Sequence, residues 1–352
     1  MSICPFDHPA LGGLLGDPEL AELLSFEAEL EVMLRFEAAL ARAQAAVGAI
    51  PGDAAAAIEA LCASFRPDLG ALAAATARDG VIVPELVRQL RTALGAPHAE
   101  HLHRGATSQD LVDTALLVRL QRATAILDGR LERLVDRLGE LGRAWDGRRL
   151  VGRTRMRRAR PIDWAHKLES WRAPLDRHRE RLAALAPRVF RLQLGGAVGD
   201  RAELGPAAAE IADRVADALG LARAERATHA ERDGIVDLAS WLALVAGSLG
   251  KIGQDVAILA QDEVAELLVE GGGTSSAMPH KVNPVAAEVL VALARHAAAL
   301  AGAMHQASVH ENERSGAAWT LEWLALPPLL LATGAATLRA LDLLERLRLP
   351  EA

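Results

Sequence analysis

Residues 271–284 read Gly271-Gly272-Gly273-Thr274-Ser275-Ser276-Ala277-Met278-Pro279-His280-Lys281-Val282-Asn283-Pro284 and separate two long helical patterns. Three glycines followed by hydroxyl residues disfavour a helix, so the sequence predicts that the preceding helix ends at Glu270. Asn283-Pro284 is typical of a helix start, with Asn at the cap and Pro at the first helical position. We therefore expect a mobile, amide-rich loop that can close over an anionic ligand and present Lys281 to developing negative charge.

Residues 275–284 resemble the signature loop of the fumarase/aspartase superfamily, which reads Gly-Ser-Ser-x-Met-Pro-x-Lys-x-Asn-Pro. Thr274 departs from the pattern, because it stands where that family has Gly. In the superfamily the first serine of the loop is the base that removes a proton alpha to a carboxylate, and by position this is Ser275. The resemblance also implies that Lys281 and Asn283 hold a substrate carboxylate and stabilise the dianionic intermediate, and that Ser276 and Met278 belong to the same binding site.

Simpler interpretations stay open for these residues. The two serines could merely solvate a loop, Lys281 could be a solvated surface cation, and Asn283 could be a helix cap only. A serine hydroxyl is also a poor base in water, so its proposed role requires backbone amides and Lys281 nearby to stabilise the alkoxide.

The composition indicates a helical, globular, acidic chain of 352 residues. Ala and Leu dominate, Tyr is absent, and 39 Lys and Arg against 46 Asp and Glu give a net charge of −7, which argues against a polyanion-binding protein. Two cysteines, Cys4 and Cys62, without metal-ligand spacing fit a reducing compartment. The N-terminus has neither a basic nor an apolar export segment, and apolar runs such as 238–249 are short for a bilayer, so we expect a cytoplasmic protein with no membrane contact.

Hydrophobic periodicity predicts an all-α protein in two parts. Residues 1–104 form a small N-terminal helical domain, and residues 105–352 form a long-helix bundle that carries the signature loop. The predicted helices are 17–47, 53–63, 67–78, 84–94, 107–145, 162–185, 234–268, 284–306 and 319–347, the last interrupted at Pro327-Pro328, with no convincing strand. The pattern of small residues in 234–268 indicates close approach of another backbone: Ala243, Ala246, Gly247, Gly250, Gly253 and Ala257.

Four further blocks extend the resemblance over nearly the whole chain. They lie at residues 36–44, 105–115, 152–161 and 311–323, and they are most similar to the superfamily branch that acts on 3-carboxy-cis,cis-muconate. The resemblance implies a fumarase/aspartase-like long-helix bundle, assembled as a homotetramer in which each active site takes residues from three chains. Superfamily members usually carry a third, C-terminal helical domain, which we expect to be absent here.

Thr107-Ser108 precede an acidic first helical turn and could bind a carboxylate through amide donors and the positive end of the helix dipole. Simple capping explains both residues almost as well. His103 lies four residues earlier and could serve the same pocket as acid, base or hydrogen-bond donor. The other candidate histidines, including His229, are expected to be structural or on the surface.

The block at 152–161 contains an informative departure. Amine-releasing lyases of the superfamily resemble Gly-x-Thr-His-x-Gln here, whereas this chain has Arg155 at the histidine and Arg157 at the glutamine. A guanidinium does not deprotonate near neutral pH, so Arg155 cannot be a general acid, but it can bind a carboxylate through two hydrogen bonds. With Lys281 and Arg314, these arginines are candidates for holding a tricarboxylate; the remaining arginines of the connector, 148, 149, 153, 158 and 160, are expected to be solvated.

The resemblance therefore implies a cycloisomerase that converts 3-carboxy-cis,cis-muconate to a carboxymuconolactone in protocatechuate breakdown, without a metal or organic cofactor. Two alternatives stay open. One is an amine- or water-eliminating lyase of the adenylosuccinate type, which would need a histidine acid such as His103 or His280. The other is a non-catalytic helical scaffold. No nucleic-acid partner is expected, because the chain is acidic and lacks a nucleic-acid motif.

Overall fold

The computed structural model describes residues 4–274, 276–278 and 281–351, and within these ranges the chain is predominantly helical. Twelve α-helices are present in the described part: α1 Gly12–Leu15, α2 Pro18–Leu23, α3 Phe26–Ala46, α4 Gly52–Ser64, α5 Leu69–Asp79, α6 Val83–Leu94, α7 Ser108–Ala144, α8 Trp164–Val189, α9 Ala208–Leu219, α10 Asp233–Leu259, α11 Val285–Ala307 and α12 Gly316–Glu345. The all-α prediction is confirmed.

Three short two-stranded ladders join the helices in the described ranges. They are built from β1 Arg149–Thr154, β2 Arg157–Asp163, β3 Leu268–Val269, β4 Gly273–Thr274, β5 Val282–Asn283 and β6 Leu347–Arg348, with β1 paired to β2, β3 to β6 and β4 to β5, all antiparallel. The prediction of no convincing strand is wrong for these segments. The arginine-rich connector between α7 and α8 is a β-hairpin.

The long helices α7, α8, α10, α11 and α12 pack side by side around one apolar core. Close contact between α10 and α11 follows from the predicted small residues. A Cβ at Gly250 would lie 2.4 Å from the Cβ of Ala294, and one at Gly253 would lie 2.5 Å from the carbonyl oxygen of Ala287. These two glycines are required because the neighbouring helix leaves no room for a side chain.

Several predicted helix ends are wrong. The α10 pattern ends at Leu259 instead of Glu270, and the segment up to the signature loop is turns and the short strand β3. The predicted helix 17–47 is divided at Ser25, whose hydroxyl accepts the N–H of Ala28 at 3.1 Å and caps α3. The predicted interruption at Pro327-Pro328 is absent, because α12 runs continuously through both prolines.

Three of the described helices are long and apolar enough to cross a membrane by length and composition alone: α10, α11 and α12. The most apolar windows of α10 and α12 are 61% buried within the fold, whereas that of α11 is 33% buried. In α10 and α12 the apolar character accompanies packing inside the bundle, and in none of the three helices is it evidence of membrane insertion.

Candidate active site

The signature loop is closed at its base by the β4–β5 ladder. Gly273 pairs with Asn283 and Thr274 with Val282. A Cβ at Gly272 would lie 2.6 Å from the carbonyl oxygen of Asn283, and one at Gly273 would lie 2.5 Å from Cγ2 of Val285. These glycines therefore serve close backbone approach, in addition to the helix termination that the sequence predicted.

The tip of the loop carries exposed residues of the predicted site. Ser276 and Lys281 are exposed, Met278 is 43% exposed, and the Lys281 N–H donates to the Met278 carbonyl oxygen at 3.0 Å. Ser275, predicted to be the catalytic base, lies outside the described residues, as does His280. Asn283 is half-buried within β5 and does not cap α11, whose cap position is Pro284; the predicted capping role of Asn283 is wrong.

The β1–β2 hairpin presents the two arginines that replace the lyase histidine and glutamine. Arg155 and Met156 form the turn between the paired residues Thr154 and Arg157, and both turn residues have positive φ, 48° and 63°. Arg155 and Arg157 are exposed and form no ion pair within the described part of the chain. The hairpin therefore holds two available guanidinium groups at its tip.

Glu266 fixes the hairpin beside the segment that leads into the signature loop. Its carboxylate accepts hydrogen bonds from Arg153 at 2.6 and 3.3 Å and from the Val151 N–H at 3.2 Å. Arg153 was expected to be solvated, and this is wrong because the contact with Glu266 leaves its side chain only 18% exposed. The hairpin tip and the signature loop consequently lie at the same end of the bundle. We call Arg155, Arg157, Ser276, Met278, Lys281 and Asn283 the loop group.

The start of α7 holds the other predicted residues, with Asp110 as their organising group. The Asp110 carboxylate accepts the N–H groups of Thr107 at 2.8 Å, Gly195 at 2.7 Å and Gly196 at 3.0 Å, and it contacts Nε2 of His229 at 2.8 Å. The capping of α7 is confirmed, and His229, which was expected to be structural or on the surface, is buried against Asp110. One buried carboxylate thus joins the helix start to the glycine-rich loop 195–199.

His103 and Ser108 are half-buried next to this helix start. Nδ1 of His103 lies 2.6 Å from Oε1 of Glu37 on α3, a contact that sequence reasoning did not identify. Burial and the charge of Arg91 act to lower the pKa of His103. The charge and hydrogen bond of Glu37, together with the charge of Asp110, outweigh them, so the pKa of His103 is raised.

Arg314 lies at the same end, before α12. Its Nε donates to Gln109 at 3.0 Å and its NH2 group donates to the Ala197 carbonyl oxygen at 3.2 Å. Gln109 in turn donates to Asp113 at 3.1 Å. We call His103, Thr107, Ser108 and Arg314 the cap group.

A buried ion cluster under the cap group was also missed by sequence reasoning. Arg232 pairs with Asp113 at 2.7 Å and with Glu322 at 2.6 Å, and all three side chains are at most 3% exposed. Burial would lower the pKa of Arg232, but the two carboxylates outweigh it and raise that pKa. The available signal was the pair of acids at Asp110 and Asp113 on an otherwise apolar helix face.

The cap group and the loop group lie at opposite ends of the bundle. The cap group surrounds the first residues of α7, whereas the hairpin of the loop group begins five residues after α7 ends. A helix of 37 residues is about 55 Å long at 1.5 Å per residue. Within one chain, those predicted site residues that the structure describes therefore fall into two separate groups.

No cluster of three or more His, Cys, Asp or Glu side chains suited to a metal ion occurs among the described residues. The chemistry that the two groups offer is carboxylate binding by guanidinium and ammonium groups, together with proton transfer at His103.

Comparisons with known proteins agree with this architecture. The profile of the family described as Lyase matches residues 19–298. The chain is 43% identical to the 3-carboxy-cis,cis-muconate cycloisomerase of Pseudomonas aeruginosa over 331 residues, which cover 92% of the chain and 72% of that protein. The crystal structure of the 3-carboxy-cis,cis-muconate lactonizing enzyme from Pseudomonas putida matches with a TM-score of 0.90 and 39% identity over 96% of the chain and 76% of that structure.

A second solved structure, of the beta-carboxy-cis,cis-muconate cycloisomerase from Acinetobacter calcoaceticus, matches with a TM-score of 0.89 and 34% identity, covering 96% of the chain and 77% of that structure. Enzymes of the fumarase/aspartase superfamily act on small carboxylate substrates and are typically oligomeric. The family profile covers most of the chain, and the fold and the signature loop agree with it, so the chain belongs to the lyase family of the fumarase/aspartase superfamily.

Proposed function

We propose that this protein is a cycloisomerase that converts 3-carboxy-cis,cis-muconate to a carboxymuconolactone. The observation that carries the proposal is the set of cations in the loop group. Arg155, Arg157 and Lys281 are exposed at one end of the bundle and form no ion pair within the described residues. Three cations match a substrate with three carboxylates, and the likeness to curated cycloisomerases supports the same substrate.

The reaction is the addition of a carboxylate across a carbon–carbon double bond. An oxygen lone pair of one substrate carboxylate forms the C–O bond of the lactone ring, and the π electrons move to the carbon alpha to a second carboxylate. Ser275 supplies the proton to that carbon. Lys281 and the arginines stabilise the negative charge that accumulates on the second carboxylate before protonation.

Arg155 explains why an amine-releasing reaction is disfavoured. The nucleophile here is a carboxylate, which in the reverse direction departs as an anion and needs no proton from the enzyme. A guanidinium at position 155 cannot supply such a proton, but it can bind the departing carboxylate. The substitution of arginine for the lyase histidine therefore suits cycloisomerisation.

A complete site would take residues from more than one copy of the chain, because the cap group and the loop group of one subunit lie at opposite ends of the bundle. We propose a homotetramer in which the cap group of one subunit meets loop-group residues of two others, so that each site takes residues from three chains. The exposed face of α11 supports this assembly, since Ala292, Ala299 and Gly302 are exposed on an apolar helix that is only partly covered. We also assign the enzyme to the cytoplasm, because two cysteines in a chain of this size are typical of a reducing compartment.

Spectrophotometry tests the proposal directly. Cyclisation removes a double bond from the conjugated diene, so 3-carboxymuconate absorbance should fall when the purified protein is added, whereas adenylosuccinate, argininosuccinate and fumarate should not be converted. Absence of turnover with 3-carboxymuconate would overturn the proposal. Ser275→Ala should abolish turnover with unchanged circular dichroism, and Thr274→Gly, which restores the superfamily residue, should retain it.

A further inference from the structure

Glu37 is a buried acid that no part of the proposed reaction uses. It lies in α3 on the apolar side of the helix, is 1% exposed, and contacts Nδ1 of His103 through Oε1 at 2.6 Å. Its other oxygen, Oε2, is buried without a hydrogen-bond partner among the described residues. A buried carboxylate is costly unless it is paired, so the contact with His103 is the main compensation that the described structure provides.

The backbone around His103 is held in one conformation by groups from two helices. His103 has a φ of 59°, which is uncommon for a residue with a side chain. Gln44 of α3 donates to the Arg104 carbonyl oxygen at 2.7 Å, and Arg91 of α6 donates to the Leu102 carbonyl oxygen at 3.0 Å. The turn is therefore fixed on both sides of His103, which is the arrangement expected of a side chain that must keep one orientation.

We propose that Glu37 is a positioning residue that orients His103 and keeps its imidazole doubly protonated, so that Nε2–H is offered to a substrate carboxylate as a charged donor. The identity of the ligand rests on the proposed function. Nδ1 is occupied by Glu37, so Nε2 is the ring nitrogen that remains for a ligand, and the His103 side chain is 13% exposed. A charged donor binds a carboxylate about twice as strongly as a neutral one.

The charged groups that face His103 agree with this assignment. Glu37 of α3 and Asp110 of α7 are negative, and Arg91 of α6 is positive; together with burial, these groups leave the pKa of His103 raised. The protonated imidazole is thus favoured as long as Glu37 is present. Removal of the Glu37 charge leaves burial and Arg91, which favour the neutral ring, opposed by Asp110 alone among these groups.

The first test measures the titration of His103 without any substrate. The rate of deuterium exchange at the imidazole C2 carbon follows the protonation of each histidine, and peptide mass spectrometry can assign it to His103 in the intact assembly. We expect the His103 midpoint in the wild-type protein to lie above that of a histidine in an unfolded peptide, and to fall in Glu37→Gln. A wild-type midpoint at or below the peptide value, or a midpoint unchanged by Glu37→Gln, would overturn the proposal.

A comparison of two substitutions at Glu37 separates charge from packing. Glu37→Asp keeps the negative charge but shortens the side chain, whereas Glu37→Gln keeps the shape and removes the charge. If Glu37 acts through its charge, the midpoint should fall more in the Gln variant; if it only fills space, Asp should be the more harmful change in every measurement. Glu100→Gln is the matched control, because Glu100 is an exposed acid that lies 3.6 Å from the neighbouring His101, and it should leave the His103 midpoint unchanged.

The second test uses turnover of 3-carboxymuconate. Because the protonated ring binds the substrate, kcat/KM should decline as the pH rises through the His103 pKa, and Glu37→Gln should move this decline to lower pH. On the alkaline side of the decline the variant should lose roughly tenfold in kcat/KM relative to wild type, with a smaller loss at acidic pH. A uniform loss at all pH values would contradict the proposal. Absence of wild-type turnover would defeat the proposed function, while the exchange midpoints would still decide the role of Glu37.

Discussion

Two inactive variants should restore each other's activity when their subunits are mixed. His103→Asn damages the cap group and Lys281→Met damages the loop group, at opposite ends of each chain. Each substitution alone should lower turnover about a hundredfold or more, because it removes a charged group that is proposed to bind a substrate carboxylate or to stabilise the developing negative charge. If a site takes its cap group from one chain and its loop group from another, mixed assemblies contain some sites with neither defect.

The expected recovery follows from random assembly. In an equal mixture, the chain that supplies the cap group is the Lys281 variant half of the time, and the chain that supplies the loop group is the His103 variant half of the time. About a quarter of the sites are then intact, so the mixture should reach about a quarter of wild-type turnover.

The assay is joint refolding of the two variants from denaturant, followed by turnover of 3-carboxymuconate. Mixing His103→Asn with Arg314→Met is the matched control, because both defects lie in the cap group and no combination should give an intact site. Tags of different size on the two variants would show that mixed assemblies form. Mixed assemblies without recovered turnover would refute the reasoning that a site is shared between chains.

Three other predictions concern stability and can be measured by urea unfolding. Arg232→Met should lower the free energy of unfolding by about 3–5 kcal/mol, since it leaves two buried carboxylates unpaired, whereas Arg223→Met, at an exposed pair, should change little. Gly250→Ala should cost about 1–3 kcal/mol because its new Cβ meets α11, while Gly129→Ala, with no atom within 4 Å, should be neutral or stabilising. Burial and neighbouring arginines lower the pKa of His178 to about 4 in the folded protein, whereas a histidine in the unfolded chain binds a proton near pH 6.5. The free energy of unfolding should therefore fall by about 2–3 kcal/mol as the pH drops from about 6.5 to about 4. His178→Asn should reduce that fall.

Helices with clear end signals could be predicted from the sequence. Thr107-Ser108-Gln109-Asp110 placed the start of α7 correctly, because the acid in the first turn completes the cap. The hairpin was missed because the residues of β2 are exposed on both faces, so arginines replace the alternation that marks a half-buried strand. The continuous course of α12 was missed because local preference argues against Pro327-Pro328, whereas burial of Leu326 and Leu329 in the core outweighs that preference.

The candidate site could be predicted as a set of residues but not as a geometry. The motif positions in the loop group and the cap group were found from the resemblance, and the predicted helix 107–145 already lay between two of the blocks. The sequence did not show that the β-hairpin lies against the segment before the signature loop, a contact made by Glu266. The partners that act through long-range contacts, such as Glu37 with His103 across 66 positions, have no local signal. The boundary between the N-terminal helical domain, residues 1–104, and the long-helix bundle, residues 105–352, stays a prediction.

At the turn Arg155-Met156, the stability of the hairpin and the proposed binding of substrate favour different residues. Two-residue hairpin turns with positive φ at both positions favour Asn-Gly, and a side chain in this conformation costs about 1–3 kcal/mol. A sequence optimised for the hairpin alone would therefore replace Arg155 and lose the guanidinium at its tip. Directed evolution for thermal stability would select substitutions at this turn, and those substitutions would make the protein more stable but less active.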